Sequence, residues 1–253
     1  MTNIKMTLEY DGTRYQGWQR PPKAGETNTI SYRLSEILRK MTGETVSLFC
    51  GAKTEPGVHA AAQVVSFSTA SPLSLREIRN YMNTYLPQDI AVLDVRKCPE
   101  RFRADLNAAS RTYACRVCTL PEQDIFTRQY STHLFPAPDT ALMREASLFL
   151  TGRHDFRYFT AGRSASGKRK KGTEKELLDI GIHSDGEALT LTFIATDFLY
   201  KMPALLAGTL LDIGLGRRPV ESAARILDGT EAPSAPCEAK ALLLKEIRYP
   251  DTV

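Results

Sequence analysis

The chain has 253 residues, 42% of them hydrophobic and 25% charged, with a formal net charge of +4. Those proportions suit one large domain or two small ones with a substantial core, and they exclude a disordered or low-complexity protein. The mild basicity permits a polyanionic partner without requiring one. Cys50, Cys98, Cys115, Cys118 and Cys237 are scattered and odd in number, the pattern of reduced thiols in a cytoplasmic protein. Cys115 and Cys118 have C-x-x-C spacing, but no second Cys or His pair lies near them to complete a tetrahedral site, so no metal is expected. The start of the chain lacks a basic-then-apolar signal pattern. The longest apolar stretch, 202–215, is interrupted by Pro203, Gly208 and Asp212, so no membrane span is expected either.

In chain order, an apolar run predicts a strand over 4–10, followed by a polar loop through Pro21, Pro22 and Gly25. Residues 29–41 read as a helix, because Ile30, Leu34, Ile37 and Leu38 recur on one face; Asn28 is the candidate cap. Short apolar strands at 46–50 and 64–68 flank a loop over 51–62. Ser74 with Glu77 gives a capping-box signature to a helix over 74–86, and 90–96 closes the set as a strand. The order β-α-β-β-α-β is that of a split ferredoxin-like unit.

The second half repeats that order. A strand over 111–119 and a helix over 139–150 precede strands over 177–183 and 189–195, joined by the turn Ser184-Asp185-Gly186. A helix over 203–214 would be ended by Gly214 or Gly216, with a helical addition over 220–227 and a last strand over 242–247. The expected fold class is therefore α+β: two ferredoxin-like lobes, 1–105 and 106–253, with a central cleft. The segment 161–175 differs from both in character, since Arg163, Lys168, Arg169, Lys170, Lys171 and Lys175 stand there against a single acid, Glu174. Such a run is either a solvated surface loop or a clamp for phosphates.

The loop 51–59 holds the clearest chemistry. Gly51 and Gly57 bracket Lys53, Thr54 and Glu55 between two strands; Gly57 permits a turn other residues resist, and Pro56 restrains its neighbour. One carboxylate beside one ammonium on a restrained loop suits a positioned acid, base or nucleophile. By itself the loop fits a surface connection with an incidental ion pair better, since such pairs are common and energetically small.

Longer motifs decide between these readings. The run from Leu8 to Arg20, Leu-Glu-Tyr-Asp-Gly-Thr-Arg-Tyr-Gln-Gly-Trp-Gln-Arg, closely resembles the opening of the TruA family of tRNA pseudouridine synthases. The resemblance continues through 59–67, 83–90, Arg111-Thr112-Tyr113, 152–156, 197–202 and Ala239-Lys240-Ala241-Leu242, in family order over nearly the whole chain. It implies two ferredoxin-like lobes in a pseudouridine synthase fold, paired as a homodimer, with tRNA in a basic cleft. It also implies isomerisation of uridine to pseudouridine in the anticodon arm, without cofactor or metal.

The same comparison implies the site. Glu55 stands where the family has its catalytic Asp, Lys53 where it has Arg, Pro56 where it has Ala, and Tyr113 at the active-site tyrosine. The family's Met-Val-Arg becomes Met202-Pro203-Ala204, so the arginine that pairs with the carboxylate is absent; Lys201, one turn earlier, is the candidate substitute on the same helical face. Asp105 also replaces a cation. Arg14, Arg20, His59 and Arg111, with Arg163, Lys168, Arg169, Lys170 and Lys171, are the implied RNA contacts, although His59 and Trp18 fit structural roles as well. Lys for Arg keeps charge but loses the planar fork, and Glu is a methylene longer than Asp. Two functions follow: a synthase using Glu55, or a TruA-like paralogue that binds tRNA with impaired catalysis.

Overall fold

A computed structural model of the chain describes residues 1–19, 28–161 and 172–250. Inter-residue contacts divide it into two units, Met1–Ala109 with Leu244–Val253, and Ser110–Leu243.

The first unit contains β1 (Thr2–Tyr10), α1 (Ile30–Thr42), β2 (Phe49–Cys50), β3 (His59–Thr69), α2 (Leu75–Tyr85) and β4 (Ile90–Lys97). β1 lies between β4 and β3, antiparallel to both, and β2 is antiparallel to β3. This is the 4-1-3-2 order of a ferredoxin-like sheet. Apolar stripes on the helices, Ile30, Leu34 and Leu38 of α1 with Ile78 and Met82 of α2, are buried, as are Ile4, Met6 and Leu8 of β1 and Val65 and Phe67 of β3. Ser74 and Glu77 make the reciprocal capping box that their spacing predicts. The cap of α1 is Thr29, whose side chain accepts from the Tyr32 amide, rather than Asn28, whose side-chain amide donates to the Arg14 carbonyl.

The strand expected over 64–68 extends well beyond its apolar core. β1 offers a continuous edge down to Tyr10, which pairs with Ala60, so the alanines before Gln63 are drawn into the ladder. The expected strand over 46–50 shrinks correspondingly to two residues, and the intervening loop to 51–58.

The second unit contains β5 (Ser110–Cys118), β6 (Thr132–His133), α3 (Thr140–Leu150), β7 (Gly152–Asp155), β8 (Glu174–Ser184), β9 (Ala188–Ala195), α4 (Met202–Gly214) and α5 (Ser222–Leu227). Its strands run β5-β9-β8-β7, each neighbour antiparallel, with β6 parallel to β5. β6 and β7 add to the expected elements. In α4 every residue except Asp212 is buried, the all-round burial that an apolar helix requires. Pro203 falls in its first turn, where a missing N–H costs little, and Gly216, at φ +69°, follows its end. The last strand, β10 (Leu242–Arg248), belongs from Leu244 onward to the first unit, where it hydrogen-bonds to β3.

Candidate functional site

In the first unit, residues 51–58 join β2 to β3 and are fixed from beneath by one side chain. Gln63 on β3 is fully buried, and all of its hydrogen-bonding capacity is used. Its Nε2 donates to the Ala52 carbonyl at 2.6 Å and to the Tyr10 hydroxyl at 3.2 Å. Its Oε1 accepts from the amides of Ala52 and Val64, each at 3.2 Å. The Tyr10 hydroxyl in turn lies 2.7 Å from Oγ1 of buried Thr54. Burial pushes the Tyr10 phenol far above its ordinary pKa, so this network stays neutral.

The β1–α1 connection packs against the same loop because two glycines let backbone meet backbone. A Cβ on Gly12 would stand 2.1 Å from the Val58 carbonyl oxygen, and one on Gly17, at φ +85°, would stand 2.7 Å from that of Thr54. The Trp18 amide donates to the Thr54 carbonyl at 2.9 Å, and the Gly57 amide to that of Tyr15 at 3.3 Å. Trp18 is 1% exposed, which places it in the core.

Glu55 opens a tight turn. Its carbonyl accepts from the Val58 amide at 3.1 Å, with Pro56 and Gly57, at φ +81°, in the two central places. Proline first and a positive-φ glycine second is the signature of a type II turn. Glu55 is half-buried at its head, and Lys53 is exposed beyond buried Thr54. His59 is buried, with Nδ1 3.1 Å from both the Gly12 amide and Asp11 Oδ1. The Gly12 amide donates to Nδ1, which ties His59 to the β1–α1 connection. Exposed Arg14 places Nε and Nη2 at 2.9 and 2.6 Å from Asp89 Oδ2, and the Tyr15 hydroxyl donates to the other oxygen. Asp105 pairs with Arg103, whose guanidinium lies 4.0 Å from the Phe49 ring centre.

In the second unit, Tyr113 is buried on β5 and meets Phe198 edge to face, with ring centres 5.2 Å apart. Arg111, two residues earlier on the same strand face, donates to the Thr196 carbonyl and stands 3.6 Å from Asp197. Lys175 Nζ contacts the other Asp197 oxygen at 2.6 Å. Lys201 is the N-cap of α4, in left-handed backbone at φ +60°, with Nζ 5.9 Å from the Tyr200 ring centre. Left-handed backbone in a non-glycine residue costs on the order of 1 kcal/mol. Lys201 therefore stands outside the helix and does not share a helical face with Ala204 as expected. Ala204 is buried in the first turn, its carbonyl accepting from the Cys237 amide at 3.0 Å.

The structure thus gathers Lys53 and Glu55 on one restrained loop in the first unit, with His59 at the start of β3 next to it and Arg14 on the adjoining connection. Arg111 and Tyr113 share a strand face in the second. Arg20, Arg163, Lys168, Arg169, Lys170 and Lys171 lie outside the described residues. Gln63, Asp89 and Asp197 carry the local organisation without having been singled out by sequence. Only the buried Gln63, a polar residue in an otherwise apolar run, left a readable signal. Among the described residues no group of His, Cys, Asp or Glu has metal-site geometry, and no helix is long and apolar enough to cross a membrane.

Comparison with known proteins adds a second line. The family model described as tRNA pseudouridine synthase matches residues 6–106 and 146–250. The chain is similar to tRNA pseudouridine synthase A 2 of Bacillus cereus, 30% identical over 251 residues that cover 98% of this chain and 100% of that one. It is 33% identical over 235 residues to tRNA pseudouridine synthase A 2 of Clostridium perfringens, covering 93% of each. To tRNA pseudouridine synthase A of Pelobacter propionicus it is 35% identical over 251 residues, covering 98% and 100%.

Proposed function

Since this chain belongs to the tRNA pseudouridine synthase family, we propose that it isomerises uridine to pseudouridine in tRNA, with Glu55 in the place of the family's aspartate. The observation that carries this reading is the presentation of Glu55. It heads a turn whose every neighbour is fixed by buried bonds or glycine contacts, so its carboxylate can be placed reproducibly. Placement within a fraction of an ångström is what the reaction demands, because the glycosidic carbon must leave N1 and rejoin the same ring at C5.

The finer assignments extend the family resemblance. Glu55 is the carboxylate that acts at the sugar and base, with Lys53 as the cation of the same loop and Lys201 as a second. Tyr113 is the ring that meets the uracil; Phe198 holds it edge-on from within the same unit. A stacked uridine is out of reach, so the target in the anticodon arm is extruded, and the strand around it is held by cations. Arg14, Arg20, His59, Arg111 and the basic segment with Arg163, Lys168, Arg169, Lys170 and Lys171 supply them. The working form is a cytoplasmic homodimer acting without cofactor or metal.

A second reading, a tRNA-binding paralogue with impaired catalysis, is favoured by one observation: Ala204 is a buried alanine at the family's arginine position. Tritium release from tRNA carrying 5-tritiated uridine separates the two. When C1′ bonds to C5, N1 gains a proton and the C5 tritium passes to solvent. Release by the wild type, reduced more than about a hundredfold in Glu55→Gln, is the expected result. Binding of tRNA without release by either protein would establish the second reading instead.

A further inference from the structure

Three strands of the second unit bring charge to one end of their sheet. β9 is antiparallel to both β5 and β8, and Ala195 near its end pairs with Arg111 and with Leu177. Asp197, two residues past that point, therefore lies where β5 begins and beside Lys175 at the start of β8. The Lys175 ammonium is 2.6 Å from one Asp197 oxygen; Arg111 Nε is 3.6 Å from the other, an ion pair beyond hydrogen-bond length.

The exposures are uneven in an informative way. The Arg111 and Lys175 side chains are 9% and 16% exposed, whereas that of Asp197 is 47% exposed. Two cations are thus sunk into the unit, with the Arg111 fork also anchored on the Thr196 carbonyl. The anion that meets them sits at the solvent side on a short, rotatable stem. Here the cations are the buried partners and the anion alone reaches solvent, so it is the anion that can leave. Tyr113 shares the strand face of Arg111, and its ring meets Phe198, the residue after Asp197. Cations that converge on one solvent-facing position are the recognition element of a backbone phosphate.

We propose that Arg111 and Lys175 form a seat for an RNA phosphate, and that in the free protein Asp197 occupies this seat as an internal stand-in which the phosphate displaces. A phosphodiester offers two anionic oxygens in place of the carboxylate and reaches both cations from the solvent side, which Asp197 vacates by a side-chain rotation. Asp197 then acts as a selectivity device. It competes equally against every anion, so only a ligand with further contacts, such as an RNA strand held at other phosphates as well, displaces it. This inference rests on the tRNA-binding part of the proposed function and adds to it a competitor that weakens binding.

The sign of the effect provides the test. Affinity for tRNA is measured by filter binding for the wild type, Asp197→Asn and Lys175→Met across a range of KCl concentrations, with melting temperatures recorded in parallel. Asp197→Asn is expected to tighten binding roughly 1.5-fold to fivefold, the range of a partly exposed ion pair, even if it melts lower. Lys175→Met is expected to weaken binding and to flatten the log-affinity against log-salt slope by about 0.7–0.9, one phosphate's worth. If wild type binds tRNA and Asp197→Asn binds equally or more weakly, Asp197 is a structural partner of the cations and the inference is overturned alone. If Asp197→Asn does not fold, unchanged binding by Lys175→Met overturns it. Failure of the wild type to bind tRNA removes both this inference and the function on which it rests.

Discussion

Residues 51–58 in the first unit are fixed by buried, neutral hydrogen bonds, whereas the cationic end of β5 and β8 in the second is fixed by ion pairs that reach solvent. The two kinds of support respond to different things. Gln63, with both donors and both acceptors engaged in a dry setting, holds its loop almost regardless of salt or ligand. Ion pairs around a half-exposed Asp197 are screened by salt and open to exchange with another anion. A carboxylate that must meet a sugar carbon needs the first kind of support. A surface that follows a flexible, charged strand needs the second. The proposed chemistry divides in the same way, with bond breaking assigned to the rigid region and capture to the exchangeable one.

The largest expected effect tests the rigid side. If the turn at 55–58 holds its backbone in place, shortening Glu55 to aspartate withdraws the carboxylate by about one methylene with no compensating movement. The rate of tritium release should then fall about a hundredfold, although aspartate is the residue the family uses. Unchanged or faster release by Glu55→Asp would mean that the loop adjusts, and the contrast between the two regions would fail.

Next in size is the support itself. Gln63→Leu keeps the volume and removes every polar contact, leaving the Ala52 amide and carbonyl buried without that partner. Urea unfolding should show a loss of about 3 kcal/mol, the sum expected for two buried groups stranded in a dry setting. Isomerase activity should fall further than the folded fraction does, because the loop loses its fixed base. A loss below about 1 kcal/mol would show that the loop is held mainly from the β1–α1 side, through Gly12 and Gly17.

How far the sequence anticipates these regions follows from the range of the forces involved. The element order, the Ser74–Glu77 box and the Gly216 stop are local, each written within one turn of chain, and periodicity or spacing reveals them. The motif comparison likewise pointed to Glu55 and Tyr113 as candidates, because motifs preserve chain order. Extension of β3 back to His59 was not legible: three alanines carry no strand pattern, and the ladder is imposed by β1. Nor was β7, whose Gly152-Arg153-His154-Asp155 has no apolar alternation and pairs through its backbone. The left-handed backbone of Lys201 contradicts its residue type and follows from the connection into α4. Asp197 reads as a loop acid until folding sets it between two cations, Arg111 and Lys175, that are both remote from it in the chain.

The smallest effect concerns Pro56, where the family has alanine. In a type II turn the first central residue adopts the φ that proline already has, and the positive φ is carried by Gly57. Alanine is accepted at that place, and the Val58 amide still reaches the Glu55 carbonyl. What Pro56→Ala removes is restriction of the unfolded chain, together with the bias that proline places on Glu55 toward extended backbone. Unfolding should become easier by about 0.4–1 kcal/mol, with kcat and KM for tRNA changed less than about twofold, since Gln63 and the glycine contacts still fix the loop. A fall in kcat beyond that, with stability nearly unchanged, would assign to Pro56 a positioning role on Glu55. Rigidity of the loop would then come partly from the turn, and the longer glutamate and the proline would be substitutions that work as a pair.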